Sequence, residues 1–171
     1  MVILSDMESV NYLNESNQNK LVSNLKGLVG DRTPVFICIG AQNIPYDCIG
    51  AIVGDMLMDA PFFVYSNINA VNLLKAIEFI KTIHYGNDYC FIAIDAAIGA
   101  VEEIGCIKII DGGIFPGSAT NKNLTSVGDI GIIAVTNSNS FSDYYSTSSA
   151  ILCRAKAMSQ FIATVIKTAF I

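Results

Sequence analysis

Pro34-Val-Phe-Ile-Cys-Ile-Gly40 and Tyr89-Cys-Phe-Ile-Ala-Ile-Asp95 are the two stretches that decide the fold of this chain. Both are short, continuous apolar runs rich in β-branched residues, which is typical of strands covered on both faces in a parallel sheet. Asp47 lies in the loop after the first run, and Asp95 ends the second. If both runs are parallel strands of one open sheet, both carboxylates lie at its carboxyl edge, where α/β proteins form ligand and catalytic sites.

Helix-like and strand-like segments alternate through the first hundred residues. Periodicity and helix-end residues predict three helices with two strands between them. The helices cover 17–30, 48–58 with Asp47 as the cap, and Asn67 or Asn69 to about His84; the strands cover 35–39 and 62–65. The apolar side of the third helix is expected to carry Val71, Leu74, Ile77 and Ile80. This alternation predicts right-handed crossovers between parallel strands, and therefore an α/β fold.

The rest of the chain predicts two further strands, over 106–110 and 130–136, joined by a polar connection. The clearest helical pattern closes the sequence, where apolar residues recur every three or four positions for about six turns. These positions are Ile151, Ala155, Met158, Ile162, Val165 and Ala169, and Ser146, Thr147 or Ser148 can cap the helix. Residues 1–16 are expected to be loose, and residues 1–171 to form a single domain.

Composition argues against a membrane or nucleic-acid protein. The hydrophobic content is 52% and the mean hydropathy is +0.49, values that buried parallel strands explain. Arg154, Lys156 and Lys167 interrupt the nearest approach to the ~20 apolar residues of a membrane span. No signal peptide is evident, so a cytoplasmic protein is expected. The net charge is −5 and the basic residues are scattered, which offers no footprint for nucleic acid.

The cysteines favour neither a disulfide framework nor a metal site. Their number is odd and they form no CxxC pair: Cys38, Cys48, Cys90, Cys106 and Cys153. No metal ligand set and no cofactor are predicted.

Asp47 and Asp95 are the candidate catalytic residues. Two carboxylates in one desolvated site cannot both ionise at low cost, so one keeps its proton and the pair can act as acid and base toward water. The structural alternative makes Asp47 a helix cap and Asp95 a strand-end residue that hydrogen-bonds to the next loop.

His84 and Cys48 are weaker candidates. His84 is the only histidine, and it ends a crossover helix, so it is expected at the amino edge of the sheet as a surface residue, roughly 22 Å from the acid pair. A thiol at a helix N-terminus can be reactive, but Asp47 beside Cys48 opposes this, which favours a buried and inert cysteine.

Several of these strings together resemble one family. The strings are Phe36-Ile-Cys-Ile-Gly40, Asp47-Cys-Ile-Gly50, Ala93-Ile-Asp-Ala96, Pro116-Gly-Ser118 with Asn121-Lys122, and Val127-Gly-Asp-Ile130. In this order they resemble the sporulation protein YyaC family, a small family related to the germination protease of bacterial spores. The resemblance runs from about Leu21 to the C-terminus.

The resemblance implies a fold and an activity. The germination protease is an atypical aspartic endopeptidase of spore proteins, and its fold is similar to the three-layer α/β/α sandwich of hydrogenase-maturation endopeptidases. Its aspartates lie in a "Pro-Asp-Ala-Leu-Gly" loop and a "Val-Asp-Ala" strand end, which Asp47 and Asp95 match. The expected function is therefore a sporulation-associated peptidase of the forespore or mother cell, acting on a peptide or protein substrate; homo-oligomerisation stays open.

The glycine-rich segment 111–122 is the expected substrate loop. Its glycines permit backbone geometries that expose amides to a polar group, although its spacing is not that of a P-loop. The candidate substrate-binding residues are Asp111, Gly113, Ser118, Asn121 and Lys122. The alternative without a function is a glycine-rich surface loop.

Two departures from the related proteins matter. Phe115 stands where the protease has a histidine, and in hydrogenase-maturation relatives a histidine and two acids hold nickel, so a comparable metal site is not expected. The loop after the first strand keeps Asp47 but lacks the arginine and hydroxyl residues typical of YyaC proteins. Two alternatives therefore stay open: a catalytically inactive binding protein on this scaffold, and a metal-dependent maturation-type endopeptidase.

Overall fold

The computed structural model describes residues 8–14, 16–116, 126–138 and 148–171. Within them the elements follow in the order β1 (Glu8–Asn11), α1 (Asn17–Val29), β2 (Thr33–Ile39), α2 (Ile49–Leu57), β3 (Phe63–Ile68), α3 (Leu73–Ile83), β4 (Tyr89–Gly99), β5 (Cys106–Asp111), β6 (Ile130–Ser138) and α4 (Ser148–Phe170).

The six strands form one sheet in the order β1-β5-β6-β4-β2-β3. Strands β3, β2, β4 and β6 are mutually parallel, whereas β5 is antiparallel to both of its neighbours. The two strands that carry the deciding sequences are adjacent, with Cys38 of β2 opposite Ile94 of β4. The predicted parallel arrangement is therefore confirmed.

Helices cover both faces of the sheet, which confirms the three-layer α/β/α architecture. Helices α1, α2 and α4 lie on one face and share a core with the inward residues of the central strands, such as Phe36 and Ile94. Helix α3 lies on the other face, where Leu73 and Ile80 pack with Ile37 and Ala93.

Helix α4 follows its predicted pattern closely. All six predicted apolar positions, from Ile151 to Ala169, are buried against α1, α2 and the sheet. In the described part of the chain, α4 is the one helix long and apolar enough to cross a membrane. Its buried face packs in the core of the α/β sandwich, against α1, α2 and the sheet.

Two predictions about local structure were wrong. The N-terminal segment is not loose throughout, because β1 pairs with β5 and buries Val10. Helix α3 begins only at Leu73, so its buried side is centred on Leu73 and Ile80. Val71 and Leu74, which were expected on that side, are 96% and 67% exposed. Tertiary pairing decided the first case, and the later start of the helix decided the second.

Candidate active site

Asp95 lies within β4, at the level where the neighbouring strand β2 ends. Ile94 pairs with Cys38 and Asp95 pairs with Ile133 of β6, so β2 ends one residue later, at Ile39. Beyond this level the chain after β2 turns toward β3, while the chain after β4 leads to the opposite side of the sheet. Adjacent strands whose connections diverge open the crevice in which α/β proteins bind ligands. The strand itself continues to Gly99, so Asp95 does not end it as the sequence suggested.

Asp47 lies in the loop 40–47, which closes on itself above the end of β2. The amide of Ala41 donates to both the carbonyl oxygen and the Oδ2 of Asp47, each at 3.0 Å. Gly40 makes this closure possible, because its φ is +138° and a Cβ there would overlap the carbonyl of Asp47. The predicted helix-capping role of Asp47 was wrong: Cys48 is the N-cap of α2, and it makes no side-chain cap hydrogen bond.

The two aspartates interact electrostatically. Burial and, to a smaller extent, the nearby charge of Asp47 raise the pKa of Asp95 to about 7. The Ala96 amide, which donates to Asp95 Oδ1 at 2.8 Å, lowers this pKa but does not offset the increase. Burial also raises the pKa of Asp47, and the hydrogen bond from Ala41 lowers it. Near neutral pH the pair therefore holds one proton on Asp95 for part of the time beside an ionised Asp47. That is the protonation state in which one carboxyl donates a proton and the other accepts one.

The loop that carries Asp47 is fixed from two further directions. Gln42 donates to the carboxylate of Asp55 in α2 at 2.8 Å. The Thr136 hydroxyl in β6 donates to the carbonyl oxygen of Tyr46 at 3.1 Å, and Arg154 of α4 donates to the carbonyl of Thr136 at 2.7 Å. Sequence reasoning missed Thr136 and Arg154, since they act through main-chain carbonyls far along the chain and leave no motif.

The predicted substrate residues that the structure describes lie away from the acid pair. Because β5 is antiparallel to β6, its last residue, Asp111, pairs with Ile130 at the start of β6. Ile130 in turn pairs with Ile92, which is three residues before Asp95 on a strand two positions away, roughly 14 Å in all. Gly113 is buried close to the carbonyls of residues 127 and 128.

The other three predicted substrate residues, Ser118, Asn121 and Lys122, lie outside the described residues. Their role as substrate ligands stays a prediction.

His84 ends α3 beside the first residues of β3 and β4, as predicted, but it is not a surface residue. It is 3% exposed, because the rings of Phe63 and Tyr89 lie 4.5 and 4.7 Å from its own, and its Nε2 shares a hydrogen bond of 2.8 Å with the Tyr65 hydroxyl. Burial lowers the pKa of His84. It belongs to an aromatic cluster at the amino edge and cannot assist a nucleophile at the acid pair.

Cys48 is fully buried, and burial is the main cause that raises the pKa of its thiol. Its Sγ lies 3.4 Å from the carbonyl of Pro45. The structure therefore favours the inert role over the reactive one.

With this geometry in place, comparison with known proteins assigns the family. The profile of a family described as "Protein of unknown function (DUF1256)" matches residues 9–165. This chain belongs to the DUF1256 family. The resemblance to YyaC is confirmed as well, because "Uncharacterized protein YyaC" of Bacillus subtilis (strain 168) is 33% identical over 135 residues.

That match covers 75% of this DUF1256 chain and 64% of the relative, so the chain spans less than two thirds of the relative's length. Neither description names an activity. Kinship of the DUF1256 family with the germination protease and the hydrogenase-maturation endopeptidases therefore stays a prediction.

The donor set of this DUF1256 chain does not fit the nickel site of hydrogenase-maturation proteins. Phe115 has no ligand atom, and His84 is buried at the opposite edge of the sheet from the acids. The residues that the structure describes contain no group of three His, Cys, Asp or Glu side chains arranged to hold a metal ion. No step is assigned to a metal here.

Proposed function

We propose that this protein is a peptide-bond hydrolase in which Asp47 and Asp95 activate water between them. The observation that carries the proposal is the raised pKa of Asp95, about 7, beside an aspartate whose charge contributes to it. The position of Asp95 on β4 and of Asp47 in the loop after β2 supports it, because the connections of these two strands diverge, and a ligand of an α/β sheet is expected at such a point.

In the proposed reaction, ionised Asp47 removes a proton from water, and the resulting hydroxide attacks the carbonyl carbon of the peptide bond. Protonated Asp95 gives its proton to the carbonyl oxygen, which yields a neutral tetrahedral diol. The C–N bond then breaks as Asp47 returns its proton to the leaving nitrogen and Asp95 recovers one from the diol. One water is consumed, and both carboxyl groups end in their starting states.

The proposed setting is the cytoplasm of a spore-forming bacterium, in the forespore or the mother cell, with a peptide or protein as substrate. The Bacillus relative supports the organism class. The match of Asp47 and Asp95 to the aspartates of the germination protease supports both the sporulation context and the peptidase activity. Neither nucleic acid nor membrane is a proposed partner.

The test is hydrolysis of unstructured protein substrates in H2 18O, followed by mass spectrometry of the products. Wild type is expected to release peptides that carry one 18O at each new C-terminus, and Asp95→Asn and Asp47→Asn are each expected to abolish this. Asp59→Asn is the matched control, because Asp59 is exposed just after α2 and undergoes the same chemical change. Intact substrates after long incubation with folded wild type would refute the proposal.

A second candidate is a binding protein that keeps the scaffold without catalysis. The loop 40–47 favours it, because Gln42 is engaged by Asp55 and no arginine, serine or threonine stands in the loop. Under this alternative, a captured partner stays bound to the Asp47→Asn plus Asp95→Asn double variant. Loss of binding together with the charges would argue against it.

A further inference from the structure

The ladder between β4 and β6 is irregular beside the acid pair. Ala97 pairs with Val135, but the next residue of β4, Ile98, pairs with Asn137. Thr136 is therefore the extra residue of a bulge in β6. Bulges near functional sites serve to redirect a side chain out of the regular alternation.

Thr136 contacts the loop that bears Asp47 through its hydroxyl and contacts α4 through its carbonyl. The Thr136 hydroxyl donates to the Tyr46 carbonyl at 3.1 Å, while the Thr136 carbonyl accepts from Arg154 Nη1 at 2.7 Å. Thr136 is fully buried, so water cannot replace either partner cheaply. Tyr46 directly precedes Asp47.

We propose that Thr136 and Arg154 are positioning residues that hold Asp47 opposite Asp95. Among the hydrogen bonds between described residues, the contact to Tyr46 is the one that joins the loop 40–47 to β6, the strand beside Asp95. The other hydrogen bonds of the loop run within it, to α2 or to β3, so none of them ties it directly to β6. Arg154 fixes Thr136 from outside the sheet, since it comes from α4.

The consequence for catalysis rests on the proposed function, but the consequence for Asp95 does not. Asp47 is the charged group that acts on Asp95 in the described structure. The flanking residue on β6, Ile133, is apolar, and Lys108 beyond it on β5 is neutralised by its ion pair with Glu103. A loop that drifts away from β6 therefore removes the main electrostatic partner of Asp95.

The experiment follows the titration of Asp95 by carboxyl 13C NMR in wild type, Asp47→Asn and Thr136→Val. Wild type is expected to titrate near pH 7. Both substitutions are expected to lower the pKa of Asp95, and Thr136→Ser, which keeps the hydroxyl, to restore it. Thr164→Val is the matched control, because Thr164 donates in the same way to a carbonyl, that of Gln160, on the exposed side of α4.

Hydrolysis rates of the same variants separate this inference from the proposed function. Thr136→Val is expected to slow hydrolysis by about 10²-fold, since displacements near 1 Å have effects of that size. If wild type hydrolyses nothing while Thr136→Val still lowers the pKa of Asp95, the peptidase fails and the positioning role stands. If Thr136→Val folds and changes neither titration nor rate, the positioning role is wrong.

If Thr136→Val does not fold, Arg154→Gln is used instead, because this variant leaves the Thr136 side chain in place. An Asp95 titration in folded Arg154→Gln that matches wild type would overturn the proposal. A lowered pKa would support it.

Discussion

Asp95→Asn is expected to stabilise the protein at neutral and alkaline pH while it abolishes hydrolysis. In the folded state the pKa of Asp95 is raised from 3.8 to about 7. Between these values the folded state holds a proton that the unfolded state has lost, so the free energy of unfolding falls as pH rises. The destabilisation by Asp95 is absent below about pH 4, grows through the interval and is complete above about pH 7. Asparagine, which never ionises, is free of it.

The size of the effect follows from the two pKa values. Each pH unit between them corresponds to about 1.4 kcal/mol, so the complete destabilisation is on the order of 4 kcal/mol. This is an upper value, because Asp95 is partly exposed and nearby water reduces the free-energy cost of ionising its carboxyl. A difference of at least 1–2 kcal/mol between variant and wild type at pH 8, and close to none at pH 4, is the expected result.

The assay is urea denaturation of wild type and Asp95→Asn from pH 4 to pH 8, with the difference in unfolding free energy plotted against pH. Asp59→Asn serves as the control, since Asp59 is exposed and undergoes the same chemical change. In Asp47→Asn, the free energy of unfolding is expected to fall less steeply as pH rises, because the Asp47 charge contributes to the raised pKa of Asp95. A flat line for Asp95→Asn, or an advantage that grows toward acid, would refute the electrostatic reasoning.

Three further predictions follow from the same geometry. The hydrolysis rate is expected to have a bell-shaped pH profile. It falls above about pH 7 as Asp95 loses its proton, and it falls in acid as Asp47 gains one. A rate that still rises beyond pH 8 would contradict this prediction. Gly40→Ala is expected to lower the free energy of unfolding by about 1–3 kcal/mol, because a Cβ at that φ overlaps the Asp47 carbonyl, and urea denaturation measures this. Met158→Ala in the buried face of α4 is expected to destabilise by about 2–5 kcal/mol in the same assay, whereas Ile171→Ala at an exposed position should change little.

The parts of the fold that the sequence predicts well are those with a long local pattern. Helix α4 repeats its apolar spacing over 23 residues, and each predicted buried position is buried. The central parallel strands are equally clear, because continuous apolar runs between helices have few other solutions in an α/β protein. Helix α3 is shorter, and the few apolar residues around its start fit more than one face.

Strand direction explains why the candidate site was predicted only in part. An apolar run such as 106–110 has the same local pattern whether it lies parallel or antiparallel to its neighbour. The antiparallel direction of β5 places Asp111 toward the amino edge, away from Asp95. The role of Thr136 is likewise invisible in the sequence, since it depends on a bulge and on a contact to a residue 90 positions earlier.

The structure does not support the purely structural roles that the sequence allowed for Asp47 as a helix cap and for Asp95 as a strand-end residue bonded to the next loop. Asp47 does not cap α2, and among the described residues the hydrogen bond of the Asp95 carboxyl goes to the adjacent amide, that of Ala96, and not to a following loop. With its raised pKa, Asp95 is expected to destabilise the fold near neutral pH, and among the described residues its carboxyl joins no two elements. The proposed function gives the proton on Asp95 a use that asparagine could not supply, and strongly perturbed carboxyls are frequent in catalytic sites.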